Sequence, residues 1–219
     1  MTKELGSIVN EVTSRIKYND GDIWLDIACN DGTMLRQIPD NFIKLGIDPC
    51  DDTFYNESCK YGTVIQDYFS YDAYQRTGYG DKTAKVITTI AMFYDLADPK
   101  TFINDVNKIL SDDGVWVLQL SYTPLMVKQL AFDNICHEHR YYYSLKTIKN
   151  LFAQHGLKVV DCELNDVNGG SFRIYVQKDI APVTSFGTSP LRDVCQFRME
   201  SILSLEEKFD VESPEVWEQ

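Results

Sequence analysis

Ile23-Trp24-Leu25-Asp26-Ile27-Ala28-Cys29-Asn30-Asp31-Gly32 changes character partway along: Ile23 to Ala28 reads as a buried β-strand, and Cys29 to Gly32 makes a turn. Thr33 to Ile38 then has the composition of a short helix, which makes residues 23–38 the first half of a β-α-β unit. Upstream, Leu5, Ile8, Val9, Val12 and Ile16 recur at helical spacing and predict an amphipathic helix that ends before Asn19-Asp20-Gly21.

Downstream the alternation continues. Phe42 to Ile47 is a second strand stopping at Asp48-Pro49, Asp51 to Lys60 can form a helix, and Thr63 to Gln66 is a third strand. Residues 70–83, rich in Tyr, Gly and Asp, read as a loop before a fourth strand from Lys85 to Thr89. Asp98 caps a helix with Pro99 in its first turn, and Asp113-Gly114 leads by a turn into strand Val115 to Leu120. Strands alternating with helices imply a parallel sheet.

The last third changes register. A helix from about Leu145 to His155 stops at Gly156, with His155 as a C-terminal cap residue. Strands Leu157 to Leu164 and Phe172 to Gln177 are separated only by Asn168-Gly169-Gly170, so they pair as an antiparallel hairpin. The expected fold is α/β, a Rossmann-like sheet, mostly parallel, closed by an antiparallel C-terminal hairpin. This layout resembles the class I S-adenosylmethionine-dependent methyltransferases.

Composition sets outer limits. A protein of 219 residues, 44% hydrophobic and 25% charged, supports one main folded domain, placed at 1–180, with a linker and amphipathic helix over 181–219. Thirty-three acidic residues against 21 basic ones give a net charge of -12, and without a Lys/Arg cluster nucleic acid is a poor partner. Neither a leader sequence nor an apolar run of membrane-spanning length is visible, so a cytoplasmic protein without a membrane partner is expected, as monomer or homodimer. The six cysteines contain no CxxC pair, which excludes a zinc ribbon and leaves free thiols.

The turn after the first strand is where such folds bring backbone N–H groups and a helix N-terminus to a ligand. Here it departs from the glycine-rich dehydrogenase fingerprint, with Ala28 and Asn30 at two expected glycines and Gly32 retained. Asp48, about 20 residues on, is placed to bind ribose hydroxyls. An acidic strand end such as Asp26 suits a cationic sulfonium better than a pyrophosphate. Asp67, after the third strand, is a weaker candidate for an adenine amino group, with a plain turn residue as its other reading.

All three histidines lie in one stretch of sequence, and His137 and His139 flank Glu138 in Cys136-His137-Glu138-His139-Arg140. A carboxylate beside an imidazole tunes its proton affinity, and a histidine titrating near neutrality is a natural general base. The HExxH spacing is absent and no third ligand is evident, so no metal is expected.

Four segments carry a closer resemblance: Trp24 to Gly32, Met92-Phe93-Tyr94-Asp95-Leu96, Asn134 to His139, and Asn165 to Arg173. Over residues 5–178 the sequence resembles the nucleotide-sugar C-methyltransferase family, without that family's N-terminal zinc-binding domain and most of its C-terminal domain. Cys136 stands where family members carry Tyr, and Asp95 lies near a position where His is common.

The resemblance implies S-adenosylmethionine as cofactor, S-adenosylhomocysteine as product, and transfer of the methyl group to a carbon beside a ketone on a sugar nucleotide. It makes His139 the base that removes the α-proton, with Glu138 beside it. The acceptor carbon must become an enolate before it attacks the methyl group, so an oxyanion donor is also needed. His137 or Asn168 could supply it, and the Gly169-Gly170-Ser171 turn with Arg173 could take a substrate phosphate. Two other readings stand beside this one: a methyltransferase acting on oxygen or nitrogen of another small molecule, and a cofactor-binding subunit that needs a partner for activity.

Overall fold

A computed structural model of the protein describes residues 2–182, 186–210 and 213. Ser185, within the expected linker, lies outside them, as do the residues after 213.

Seven strands form one sheet: β1 (Ile23–Ile27), β2 (Ile43–Ile47), β3 (Thr63–Ile65), β4 (Ala84–Ile90), β5 (Leu110–Ser121), β6 (Leu157–Asn165) and β7 (Ser171–Lys178). Among the described residues seven α-helices accompany them: α1 (Thr2–Arg15), α2 (Asp52–Ser58), α3 (Tyr71–Tyr74), α4 (Pro99–Ile109), α5 (Thr123–Lys128), α6 (Leu145–Ala153) and α7 (Ser189–Phe209). The strand order is β3-β2-β1-β4-β5-β7-β6, parallel from β3 to β5, with β7 antiparallel to both β5 and β6. The sheet and its closing hairpin are thus as the hydrophobic pattern predicts.

Both faces are covered, which explains why the central strands are apolar nearly throughout. On one face Leu25, Ile87, Trp116, Leu118 and Ile174 pack against Phe102, Ile103 and Val106 of α4 and Ile148 and Phe152 of α6. On the other, Trp24, Val86, Val115, Val117 and Tyr175 pack against Leu5, Ile8, Val9 and Val12 of α1. Successive strand residues alternate between these layers.

Three local expectations change. Thr33–Ile38 forms only a 3₁₀ turn at Leu35–Gln37, because Pro39 follows and bars a longer helix. Residues 70–83 are not a bare loop: the Ser70 hydroxyl accepts from the Ala73 N–H at 3.1 Å, starting α3, and burial of Ala73 and Tyr74 holds it. Strand β5 begins at Leu110 and not Val115, the residues up to Gly114 bulging between the Ala84–Leu110 and Val86–Val115 pairs.

Helix α7 is tied to the body by Glu206, a residue the sequence did not single out. Its buried carboxylate accepts from Tyr122 Oη at 2.8 Å and from the Leu145 and Lys146 N–H groups at 2.6 and 2.9 Å, capping α6 from outside. Glu206→Ala leaves the Tyr122 hydroxyl and the Leu145 N–H buried without this acceptor and should cost about 2–4 kcal/mol in urea unfolding.

Candidate active site

The carboxyl ends of β1, β2 and β4 enclose a cleft of ≈ 560 Å³, walled by Asp26, Ala28, Asn30, Asp48 and Ala91, with Thr2 and Leu5 of α1 closing one side. Ala28, Asn30 and Ala91 have φ of 63°, 48° and 56°. Two residues at expected glycine positions thus hold the left-handed conformation that glycine adopts without strain, Ala28 at about 1–2 kcal/mol and Asn30 at less, since asparagine tolerates it. Strain of this kind is found clustered where backbone must approach a ligand.

Gly32 is the loop position that admits no larger residue. Its φ is +76°, and a Cβ there would lie 2.8 Å from the Cα of Ser58. Gly32→Ala should lose about 2–4 kcal/mol of stability in chemical denaturation, since both backbone conformation and contact are violated.

Asp48 fixes the loop from the neighbouring strand. Its Oδ2 accepts from the Asn30 N–H and its Oδ1 from the Cys50 N–H, both at 2.8 Å. Asp26 is buried beside it, and its Oδ1 accepts from Thr88 Oγ1 at 2.6 Å, while Trp24 Nε1 donates to the same hydroxyl at 3.2 Å. Burial pushes the Asp26 carboxyl up to about 7, with the Thr88 hydrogen bond opposing and the nearby Asp48 charge adding to the rise.

No Lys or Arg among the described residues pairs with Asp26. A desolvated carboxylate without a cation fits a cationic ligand, which is what a sulfonium with an α-ammonium group is. Asp67 is placed otherwise: it is exposed, outside the cleft lining, and forms an ion pair with Arg76.

A narrow recess of ≈ 10 Å³ adjoins the cleft, sharing Ile90 and Ala91 with it and lined further by Tyr94, Gln119, Ser121, Asn168 and Ser171. Burial pushes the Tyr94 phenol up to about 12, so it remains a proton donor at neutral pH. Ser171 Oγ is spent on the Val167 carbonyl at 2.7 Å. Asn168, Gly169 and Gly170 make the turn at positive φ of 50°, 76° and 114°, and a Cβ on Gly170 would strike Leu125 Cβ at 2.8 Å.

His139 packs its ring on Tyr94, centroids 4.2 Å apart, and its Nδ1 lies 2.8 Å from the carbonyl oxygen of Asn134. A carbonyl only accepts, so Nδ1 carries the proton and the neutral ring keeps its lone pair on Nε2. The orienting group is therefore the Asn134 backbone and not Glu138. Glu138 is exposed and faces His137, also exposed, at 3.7 Å. His155 is remote, its Nδ1 2.7 Å from Asn104 Oδ1.

Asn134 itself is buried and stitches the site together. Its Oδ1 accepts from Ser121 Oγ at 3.0 Å, and its Nδ2 is 3.5 Å from the Asn168 carbonyl. Arg173 does not reach the recess surface as a free cation: its Nη2 bonds Glu4 at 2.6 Å and its Nε bonds Gln119 Oε1 at 3.1 Å. Sequence reasoning missed Thr88, Gln119 and Ser121 as site residues. Their signal was present as polar residues at the ends of the apolar runs Val86-Ile87-Thr88 and Val117-Leu118-Gln119-Leu120-Ser121. No cluster of three or more His, Cys, Asp or Glu among the described residues is placed to hold a metal, and no helix among them is long and apolar enough to cross a membrane.

Comparison with known proteins identifies the fold. C-methyltransferase NovU of Streptomyces niveus is 27% identical over 176 residues, 79% of this chain and 41% of that protein. The chain thus spans about two-fifths of the length of that curated relative. An S-adenosylmethionine-dependent methyltransferase from Clostridium acetobutylicum superposes with a TM-score of 0.61 at 12% identity, covering 81% of this protein and 92% of that one. Magnesium protoporphyrin IX methyltransferase from Synechocystis, with bound SAH, gives 0.59 at 12% identity, covering 81% and 83%. These likenesses place the sheet in the class I S-adenosylmethionine-dependent methyltransferase fold. With the methyltransferase-domain model matching residues 2–161, the cleft above β1 and β2 and the chain that builds it belong to the methyltransferase-domain family.

Proposed function

We propose that this protein transfers a methyl group to a carbon beside the ketone of a keto-deoxysugar nucleotide, by way of an enolate. S-adenosylmethionine is the methyl donor, and it supplies an electrophilic methyl group on a sulfonium sulfur. The observation that carries the reading is His139, whose Nδ1 is committed to the Asn134 carbonyl, so that the neutral ring presents Nε2 as the basic atom beside Tyr94 of the recess.

In this account Asp26 faces the positive charge of the donor, Asp48 takes ribose hydroxyls, and Ala28, Asn30 and Gly32 let the backbone close in. His139 Nε2 removes the proton from the carbon beside the carbonyl. The Tyr94 phenol and the Asn168 carboxamide, both lining the recess, are donors for the developing oxyanion. The similarity to a C-methyltransferase supports carbon as the accepting atom.

A second reading, in which a further protein surface completes the acceptor site, has one observation behind it. Leu130, Phe132 and Ile135 are 67%, 67% and 56% exposed beside Asn134, and the recess is too small for a sugar ring without added walls or an open approach.

The test is incubation with keto-deoxysugar nucleoside diphosphates in D₂O, with S-adenosylhomocysteine present and methyl donor omitted. Enolisation places deuterium on the α-carbon, visible by mass, and addition of S-adenosylmethionine then yields a C-methyl product. Methylation on oxygen or nitrogen without α-exchange would overturn the proposal.

A further inference from the structure

The donor cleft and the acceptor recess share more than a wall. Ile90 of β4, Gln119 of β5, Arg173 of β7 and Glu163 of β6 are successive cross-strand partners, so their side chains stand in one row on the sheet face that carries α1. Arg173 is the centre of this row, its side chain only 7% exposed. It donates from Nη2 to Glu4 at 2.6 Å and from Nε to Gln119 Oε1 at 3.1 Å, with Glu163 at 3.6 Å on its third side.

Each of these contacts leads to a different site. Glu4 lies in the first turn of α1 between Thr2 and Leu5, the two residues that close the donor cleft. Gln119 lines the acceptor recess. Because a guanidinium only donates, the Gln119 oxygen must face Arg173, and Asn165 Nδ2 donates to the same oxygen at 3.2 Å. The Gln119 carboxamide nitrogen is thereby turned away from Arg173, on a residue that lines the recess.

We infer that Arg173 is a positioning residue that latches α1 over the donor cleft and, through Gln119, couples closure of that cleft to the orientation of a hydrogen-bond donor in the acceptor recess. The inference rests on the proposed donor site. It gives Arg173 a role opposite to that of a phosphate ligand: its charge is spent inside the protein, on joining two binding sites. Linkage then requires that whatever tightens α1 also favours the set Gln119 conformation, and the reverse.

The experiment uses S-adenosylhomocysteine as probe and the whole protein. Calorimetric titration compares the unaltered protein with Glu4→Gln, which removes the charge that holds the latch and leaves Arg173 beside Glu163, and with Glu11→Gln, which removes a like charge farther along α1 where it pairs with Arg15. Expected is a loss of affinity of about 5- to 20-fold for Glu4→Gln and less than about twofold for Glu11→Gln, the range of ordinary coupling energies.

A merely structural ion pair would not move the second readout, the side-chain amide resonances of Gln119. They should shift when S-adenosylhomocysteine saturates the unaltered protein and stay in place when it saturates Glu4→Gln. Equal affinities in all three proteins, or the same Gln119 shift with and without the latch, would overturn the inference. Failure of the unaltered protein to bind at all would instead overturn the donor-site reading on which it rests.

Discussion

His139→Gln should lower the rate of methyl transfer by about 10³-fold and leave the affinity for S-adenosylhomocysteine within about a factor of two. The first half follows from removing a ring whose Nδ1 is bonded to the Asn134 carbonyl, leaving Nε2 to accept a proton beside Tyr94. Glutamine keeps a similar bulk against Tyr94 and a donor toward the Asn134 carbonyl, so packing is held while the base is lost. The second half follows from position, since none of the residues walling the donor cleft belongs to the segment from Asn134 to Tyr143. Rate and affinity falling together would place His139 in folding or donor binding and remove it as the base. Glu138→Gln, by contrast, should change the rate less than about threefold, because that carboxylate is exposed and faces His137.

The second large effect is a pH dependence of donor affinity set by Asp26. Burial raises its carboxyl to about 7, and a cationic ligand favours the charged form, so binding releases a proton in acid. Affinity for S-adenosylmethionine should rise about 50-fold from about pH 5 to about pH 7, at most tenfold per unit, and level off above about pH 8.

The free protein moves in the opposite direction. A folded-state value above the unfolded one, about 3.9, means that the protonated group favours folding below that value, and the contribution is lost as pH rises through about 7. Asp26→Asn should abolish both slopes and bind S-adenosylmethionine at about pH 8 roughly as the unaltered protein does in acid. Calorimetry in buffers of different ionisation enthalpy counts the released proton. No release, or affinity falling with pH, would contradict the assignment of Asp26 to the donor's positive charge.

The sheet was legible because its order is written in hydrophobic runs and punctuation. Ile23 to Ala28 and Asn168-Gly169-Gly170 are strong local signals, and the strands that they announce pair as expected. The loop from Ala28 to Gly32 was legible for the same reason, since Asp26 and Asp48 end two adjacent strands and must meet. What could not be read were contacts made across the sheet. Thr88 meets Asp26 only through the β1–β4 pairing, and Arg173 meets Glu4 from 169 residues away. Adjacency in sequence also misdirected one assignment. Glu138 sits next to His139 along the backbone, yet the carbonyl that fixes the ring comes from Asn134, where the backbone turns back on itself. Helix α3 was hidden because its four residues are held by burial of Ala73 and Tyr74 rather than by propensity.

Calorimetric titration with S-adenosylmethionine and S-adenosylhomocysteine tests most directly whether the cleft between Asp26 and Asp48 holds the methyl donor. Both should bind at one site per molecule, and Asp48→Ala should weaken each by about 50-fold or more, because that carboxylate serves both the loop and the proposed ribose contact. Absence of binding by the unaltered protein, or undiminished binding by Asp48→Ala, would contradict the account.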